Sequence, residues 1–207
     1  MDLTLILPFL GAAVLLTIMP GPDNLFVLAQ SITQNKKAGF ATSLGLCSGL
    51  IVHISAAAIG ISAILYQSSF AFTVVKLMGA GYLLFMAYES LKDRNKTSTL
   101  QEQPSQTYLA LYRKGILMNI LNPKVSLFFL ALLPQFINHE AASPTFQMIF
   151  LGFVFILQAL IIFFLISIYA GKLAKVIAGN ATLSRRFNLL KAGLLTLIGI
   201  QIALSKN

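Results

Sequence analysis

Residues 19–30 read Met-Pro-Gly-Pro-Asp-Asn-Leu-Phe-Val-Leu-Ala-Gln and interrupt an otherwise apolar run that extends from residue 3 to residue 31. Proline removes a backbone donor and disrupts the helical ladder, and lipid supplies no replacement partner. Two prolines that flank a glycine therefore predict a helix that is unwound part-way across a membrane. A second break, Asn122-Pro123-Lys124, interrupts the apolar run from residue 114 to residue 138.

The composition of the whole chain is typical of a membrane protein. Of its 207 residues, 57% are hydrophobic and only 10% are charged, whereas a soluble domain has roughly 25% charged residues. The net charge of +9 is not gathered into a basic stripe with stacking aromatics, so nucleic-acid binding is not expected. The single cysteine, Cys47, excludes an intrachain disulfide and a cysteine metal cluster. No nucleophile with a partnered base stands at a usable spacing, so we expect neither an enzyme nor a cofactor.

Six apolar runs are long enough to form membrane-spanning helices, which need about 20 residues each. We place the spans at residues 3–31, 40–66, 70–91, 114–138, 144–171 and 187–204. No separate soluble domain remains, so residues 1–207 are predicted to form a single all-α transmembrane domain. Its predicted parts are a first repeat at 1–91, a cytoplasmic linker at 92–113 and a second repeat at 114–207.

The distribution of Lys and Arg predicts the orientation, because short cytoplasmic loops retain these residues. Two lie in the first-to-second connection, five in the third-to-fourth and five in the fifth-to-sixth, which makes twelve on one side. The opposite side carries only Lys206, while Lys76 and Lys124 lie within spans. Both termini are therefore predicted to lie outside the cytoplasm.

The two halves of the chain resemble each other at a shift of 102 positions, which sets Leu25-Phe-Val-Leu-Ala29 over Leu127-Phe-Phe-Leu-Ala131. Each matched segment follows one of the two proline breaks. Because each half has three predicted spans, an odd number, the second half must enter the membrane from the opposite side. The sequence thus predicts six transmembrane helices in a 3+3 inverted repeat with helices 1 and 4 broken, as in many secondary transporters.

Both breaks are predicted to lie near the middle of the membrane. Pro22 is 9 residues from the cytoplasmic end of its span and Pro123 is 9 residues from the start of its own, which at 1.5 Å per residue is a depth of about 14 Å. Secondary transporters bind their substrates at this depth. The alternative interpretation is an ordinary proline kink that packs against neighbouring helices.

Two residues of opposite charge, Asp23 and Lys124, stand beside the breaks. A charge inside the membrane costs about 2.5–3.5 kcal/mol and is normally retained for a reason. We expect both residues to face one polar cavity, where Lys124 and the positive end of the half-helix that begins near Asp23 and Asn24 hold a carboxylate. Asp23 is also the best candidate for a proton-coupled carboxyl group; alternatively it is a helix N-cap with no transport role.

The second predicted span carries His53 in register with Gly45, Gly49 and Ala57, at intervals of four residues. A stripe of small residues lets another helix approach closely. His53 either relays protons or is hydrogen-bonded between packed helices. Gln158, in the fifth span, is interpreted as a packing residue.

Residues 19–30 resemble the signature of the lysine exporter and homoserine/threonine resistance family of translocators (LysE/RhtB). Residues 114–124, Lys-Gly-Ile-Leu-Met-Asn-Ile-Leu-Asn-Pro-Lys, continuing through Phe128-Phe-Leu-Ala131 to Pro134-Gln-Phe136, are similar to the second signature of this family. The segment from Lys76 to Leu84 is similar as well. The resemblance covers essentially the whole chain, and both motifs stand in the expected order and spacing.

The resemblance implies proton-coupled export of an amino acid or a close derivative, such as homoserine, threonine or another small amino acid, across the bacterial inner membrane. Met19 departs from the small hydroxyl residue that many members have at this position, and this departure bears on the substrate and not on membership of the family. The site residues that the resemblance implies are those of the two breaks: Pro20, Gly21, Pro22, Asp23, Asn24, Asn122, Pro123 and Lys124.

The expected partners are an amino-acid substrate, protons and the lipid bilayer, with a second copy of the chain in a homodimer as a further candidate. A membrane metal-ion exporter of the wider superfamily is the alternative function. Such a protein calls for a ligand set rich in His, Cys or carboxylates, and this chain has two histidines and one cysteine.

The predicted orientation can be tested by labelling with a membrane-impermeant thiol reagent in intact cells. We expect Asn138→Cys to react and Ser98→Cys to stay unreactive, because residue 98 lies in the predicted cytoplasmic linker and residue 138 at the opposite surface. The parent protein, which keeps Cys47, is the control for background labelling. Reaction at residue 98 but not at residue 138 would reverse the orientation.

Overall fold

The computed structural model of the chain describes residues 3–19, 21–67, 105–138 and 143–179, together with a few scattered residues between 73 and 92 and between 189 and 203. Pro20 and Lys76 lie outside the described residues, as do most of the predicted spans 70–91 and 187–204. The six-span count, the inverted repeat and the division into two repeats therefore stay predictions.

Every regular element within the described residues is helical, which confirms the all-α class. The α-helices are α1 Leu3–Ile18, α2 Pro22–Thr33, α3 Lys36–Gln67, α4 Tyr108–Ile120, α5 Pro123–Leu127 and α6 Pro144–Gly179. A π-helical turn, Phe128–Leu132, and a 3-10 turn, Leu133–Phe136, continue α5 without a gap.

By length and composition, the described part of the structure has two helices that could cross a membrane, or up to four spans if each bent pair counts as one. The helices α3 and α6 are long and apolar enough to cross a membrane by themselves, over Lys36–Gly60 and Pro144–Lys172. The pair α1 and α2 bends by 55° at its break, and α4 bends by 49° against α5 and its continuation. Each bent pair has the composition of one broken span, at the two places where the sequence predicted breaks.

The first break shows why α2 begins at Pro22. Proline fits the first turn of a helix, where its missing N–H is not needed, and Gly21 precedes it as the N-cap in an extended conformation. The alternative that Asp23 is the N-cap is therefore wrong, because Gly21 occupies that position. Asp23 lies instead in the first turn of α2, where the helix dipole favours negative charge.

Several helix ends lie beyond the predicted spans. The helix α4 begins at Tyr108 and not at residue 114, because Thr107 caps it by accepting a hydrogen bond from Ala110 N at 3.2 Å. The end of the predicted linker is thus helical. Likewise α3 begins at Lys36 and α6 ends at Gly179, since helices continue past the apolar run on which the prediction was based.

Glycines on α3 and α4 allow these two helices to touch through their backbones. A Cβ atom built on Gly45 would meet the carbonyl of Tyr112, and one built on Gly115 would lie 2.7 Å from Thr42 O. One built on Gly49 would lie 2.8 Å from the Cβ of Asn119. The helix α3 also packs against α6, so it is the central element of the described structure.

We expect Gly45→Ala to destabilise the protein, since its methyl group meets backbone atoms that cannot move aside. Overpacking costs about 1–3 kcal/mol, which lowers Tm by on the order of 5 °C in a chain of this size. The matched control is Gly60→Ala on the same helix, where a Cβ has no neighbour within 4 Å and alanine favours the helix. Thermal unfolding in detergent measures both variants, and equal Tm values would contradict the backbone contact.

Candidate functional site

The two breaks face each other across one buried cavity. Its polar lining consists of Thr17 at the end of α1, Asp23 and Asn24 in α2, Asn119 in α4 and Lys124 in α5. All five side chains are at least nine-tenths buried. Asp23 and Lys124 therefore line one cavity, as the sequence predicted.

Lys124 ties the second break to the first. Its Nζ donates a hydrogen bond to Met19 O at 3.3 Å and lies 3.5 Å from the position that a Cβ of Gly21 would occupy. A side chain at residue 21 would therefore contact the ammonium group. The start of α5 is held in place by Asn122, whose Oδ1 accepts a hydrogen bond from Lys124 N at 3.1 Å.

Asn24 satisfies the backbone at the end of α1. Helices leave their last four carbonyls without an intrahelical partner, and in lipid such groups need another donor. The Asn24 amide nitrogen donates to Thr17 O at 2.8 Å and to Ile18 O and Met19 O at 3.2 Å each. One side chain of α2 thus replaces the hydrogen bonds that the break removes from α1.

Asn119 connects the carboxyl group of the site with the predicted histidine. Its Nδ2 donates to Asp23 Oδ2 at 3.3 Å, and its backbone oxygen lies 3.0 Å from His53 Nε2. Because a carbonyl only accepts, Nε2 must carry the hydrogen. The His53 ring also stacks on Phe129, with 6.2 Å between ring centres. His53 therefore reaches the site through the backbone of Asn119.

A further polar contact closes the cavity on the side of α6. Gln158 Nε2 donates to Thr17 Oγ1 at 2.9 Å, and Thr17 Oγ1 donates to Ala13 O at 2.8 Å. Gln158 is 8% exposed. It packs between helices as expected, and it also holds one of the residues that line the cavity.

The remaining wall of the cavity is apolar. Phe155 belongs to this wall and also contacts Phe128 and Phe129 with ring centres 5.1 Å apart in each case. Phe9 joins this aromatic cluster through Phe128, at 6.1 Å. The full apolar lining consists of Leu16, Leu50, Val125, Phe155, Ala159 and Phe163.

The predicted site residues take three kinds of position. Asp23, Asn24 and Lys124 line the cavity, Gly21 and Asn122 cap the two half-helices, and Pro22 and Pro123 begin them. Pro20 lies outside the described residues. Gly45 and Gly49 pack α3 against α4 and do not line the cavity.

Two lining residues, Thr17 and Asn119, were not predicted. The hydrogen bond of Gln158 to Thr17 was not predicted either. The signal for Asn119 was available, because it is an amide side chain within an apolar run and three positions before Asn122. Thr17 carries no such signal, since threonine is common in helices that pack through hydrogen bonds to their own backbone.

No group of three or more His, Cys, Asp and Glu side chains comes together in the part of the chain that the structure describes. The alternative metal-exporter function therefore gains no site there.

A family model described as LysE type translocator matches residues 12–206 of the chain. Together with the buried charged site between broken apolar helices, this makes the protein a membrane translocator. The chain belongs to the LysE type translocator family, which confirms the resemblance found in the sequence.

Relatives agree with this assignment. The chain is 30% identical to the uncharacterized membrane protein YrhP of Bacillus subtilis over 209 residues, which cover 97% of this chain and 99% of the relative. It is 30% identical to a leucine efflux protein of Klebsiella pneumoniae over 67% of this chain and 66% of the relative. A leucine efflux protein of Salmonella choleraesuis is 27% identical over 64% and 63%. No solved structure matches the chain.

We expect Asn24→Asp to destabilise the protein although the shape of the side chain is kept, because the carboxylate cannot donate to the three carbonyls of α1. An unsatisfied buried carbonyl costs about 1–3 kcal/mol. The matched control is Asn35→Asp, since Asn35 Oδ1 accepts a hydrogen bond from Ala38 N at 3.0 Å and aspartate keeps this acceptor. Thermal unfolding in detergent should separate the variants, and equal stability of both would contradict the role of Asn24.

Proposed function

We propose that this protein is a secondary active exporter of amino acids or their close derivatives from the bacterial cytoplasm. It would bind its substrate at the cavity between the two breaks and release it by alternating access across the inner membrane. The observation that carries the proposal is the pair of opposite charges, Asp23 and Lys124, in one buried cavity of a LysE type translocator. The leucine efflux proteins among its relatives support an amino-acid substrate.

The carboxylate of the substrate would bind at Lys124. An ammonium group in a water-poor site forms strong charge-assisted hydrogen bonds with a carboxylate. Lys124 Nζ contacts the backbone carbonyl of Met19, and a substrate carboxylate would add a charge-assisted hydrogen bond. The N-terminal end of α2 starts beside it and adds positive dipole character. A carboxylate would thus stabilise both sides of the break.

Asp23 would couple export to the proton gradient. Burial penalises the charged form of a carboxyl group, whereas a nearby cation favours it. A change of access between the two sides of the membrane changes both influences, so the carboxyl group can bind a proton in one state and release it in the other. The contact of His53 with a backbone carbonyl supports helix packing for this residue more than a proton relay.

Asp23→Asn tests the coupling role at substrate concentrations high enough to offset any loss of binding. The variant keeps an oxygen for Asn119 Nδ2 but cannot titrate. In proteoliposomes at high substrate concentration, we expect the variant to retain amino-acid exchange. Its rate of uphill export driven by a pH gradient should fall at least about tenfold. Asp93→Asn, in the predicted cytoplasmic linker, is the matched control and should keep both activities.

Wild-type uphill export by Asp23→Asn would refute the coupling role. If the wild-type protein exchanged no amino acid but transported divalent metal ions, the metal-exporter alternative would replace the proposal.

A further inference from the structure

Three buried acceptor atoms have no hydrogen-bond partner within the described structure: Asp23 Oδ1 and Asn119 Oδ1, whose residues line the cavity, and Gln158 Oε1, whose residue contacts the lining residue Thr17. Their residues are 7%, 2% and 8% exposed. Leaving such an acceptor unsatisfied costs about 1–3 kcal/mol, and native structures contain few of them. The two acceptors on the cavity lining are therefore suited to a ligand that donates hydrogen bonds.

The directions of the neighbouring donors specify the charge of that ligand. The amide nitrogens of Asn119 and Gln158 each donate one hydrogen bond, to Asp23 Oδ2 and to Thr17 Oγ1. The buried atoms without a partner in the described structure are all oxygens, and one of them belongs to a carboxyl group. An ammonium group carries three donors and no acceptor, so it matches this set of atoms and a carboxylate does not.

Lys124 lines the same cavity as Asp23, so the cavity has two charged poles of opposite sign. A ligand that reaches both poles carries a positive and a negative group close together, as the zwitterion of an α-amino acid does. This step rests on the proposed export of amino acids and adds to it the place of the ammonium group.

The rest of the lining specifies the side chain of the ligand. Beyond the two poles, the polar residues at the cavity are Thr17, which already donates to Ala13 O and accepts from Gln158, and Asn24, whose amide nitrogen serves three carbonyls. The other lining residues are apolar. A hydroxyl or charged side chain placed against these apolar residues would lose its water without gaining a partner from them, which costs free energy.

Helix α6 forms much of this apolar wall with three residues at intervals of four, Phe155, Ala159 and Phe163. Such spacing places them on one helix face. Ala159 is 1% exposed and lies between Phe155 and Phe163 in this spacing, and it has the smallest side chain of the α6 part of the wall.

We propose that the cavity selects amino acids with apolar side chains, holding the ammonium group on the free oxygens of Asp23 and Asn119 and the side chain against Ala159 and its neighbours on α6. Leucine, isoleucine and methionine fit this chemistry better than threonine, homoserine or lysine. A hydrophobic pocket discriminates against an added hydroxyl by at most about 100-fold, so we expect leucine to be preferred over threonine by about 10- to 100-fold.

The test is exchange by the purified full-length protein in proteoliposomes, with radiolabelled leucine or threonine and competition by unlabelled compounds. Leucine should compete at a concentration at least about tenfold lower than threonine, homoserine or lysine. The keto acid 4-methyl-2-oxopentanoate, which has the leucine side chain but no ammonium group, should compete at least about tenfold more weakly than leucine.

The outcomes distinguish this inference from the proposed function. Equal or better competition by threonine or lysine would overturn the apolar selectivity and leave amino-acid export intact. Equal competition by the keto acid would overturn the ammonium site alone. If neither labelled amino acid were exchanged by the wild-type protein, both the inference and the proposed function would fail.

Ala159→Val tests the assignment to α6. The added methyl groups should weaken competition by leucine at least about tenfold more than competition by alanine, whose side chain is short. Ala170→Val is the matched control, because Ala170 is also buried in α6 but does not line the cavity. Equal loss for leucine and alanine would overturn the role of Ala159, and the competition by alanine shows that the variant is folded.

Discussion

The structure depends on the satisfaction of backbone groups at two helix breaks in a medium without water. Where α1 ends before Gly21, its last carbonyls need donors that lipid cannot supply. The amide of Asn24 and the ammonium group of Lys124 supply them, one from the other side of the same break and one from the second break. This requirement explains why the two breaks lie together, because Lys124 of the second break supplies a donor to the end of α1.

The same groups give the site its chemical character. Irregular backbone at the depth of a membrane is tolerated where it lines a cavity within the protein. Here the cavity is lined by a carboxyl group, an ammonium group and apolar residues that include three from α6. Residues that are costly in lipid are thus concentrated where a small zwitterion would interact with all of them.

Packing between uncharged residues sets the position of the site. Glycines at residues 45, 49 and 115 bring the backbones of α3 and α4 together, and this contact puts Asn119 between His53 and Asp23. The aromatic cluster around Phe128 closes the neighbouring volume. The small residues therefore act on the site indirectly, by fixing where α4 presents its one buried amide.

The sequence by itself determined the membrane class, the two breaks and the charges beside them, because hydropathy and the missing N–H of proline are local properties of Pro22, Pro123 and their neighbours. The alternative interpretation of Asp23 as an N-cap also rested on local sequence. It is wrong because proline prefers the first helical turn, so the helix begins at Pro22 and Gly21 is the N-cap. Only the tertiary structure decided the partners of Asn119, which lies 96 positions from Asp23. A hydrogen bond across that separation depends on how two helices cross, and the crossing depends on atoms from several helices at once.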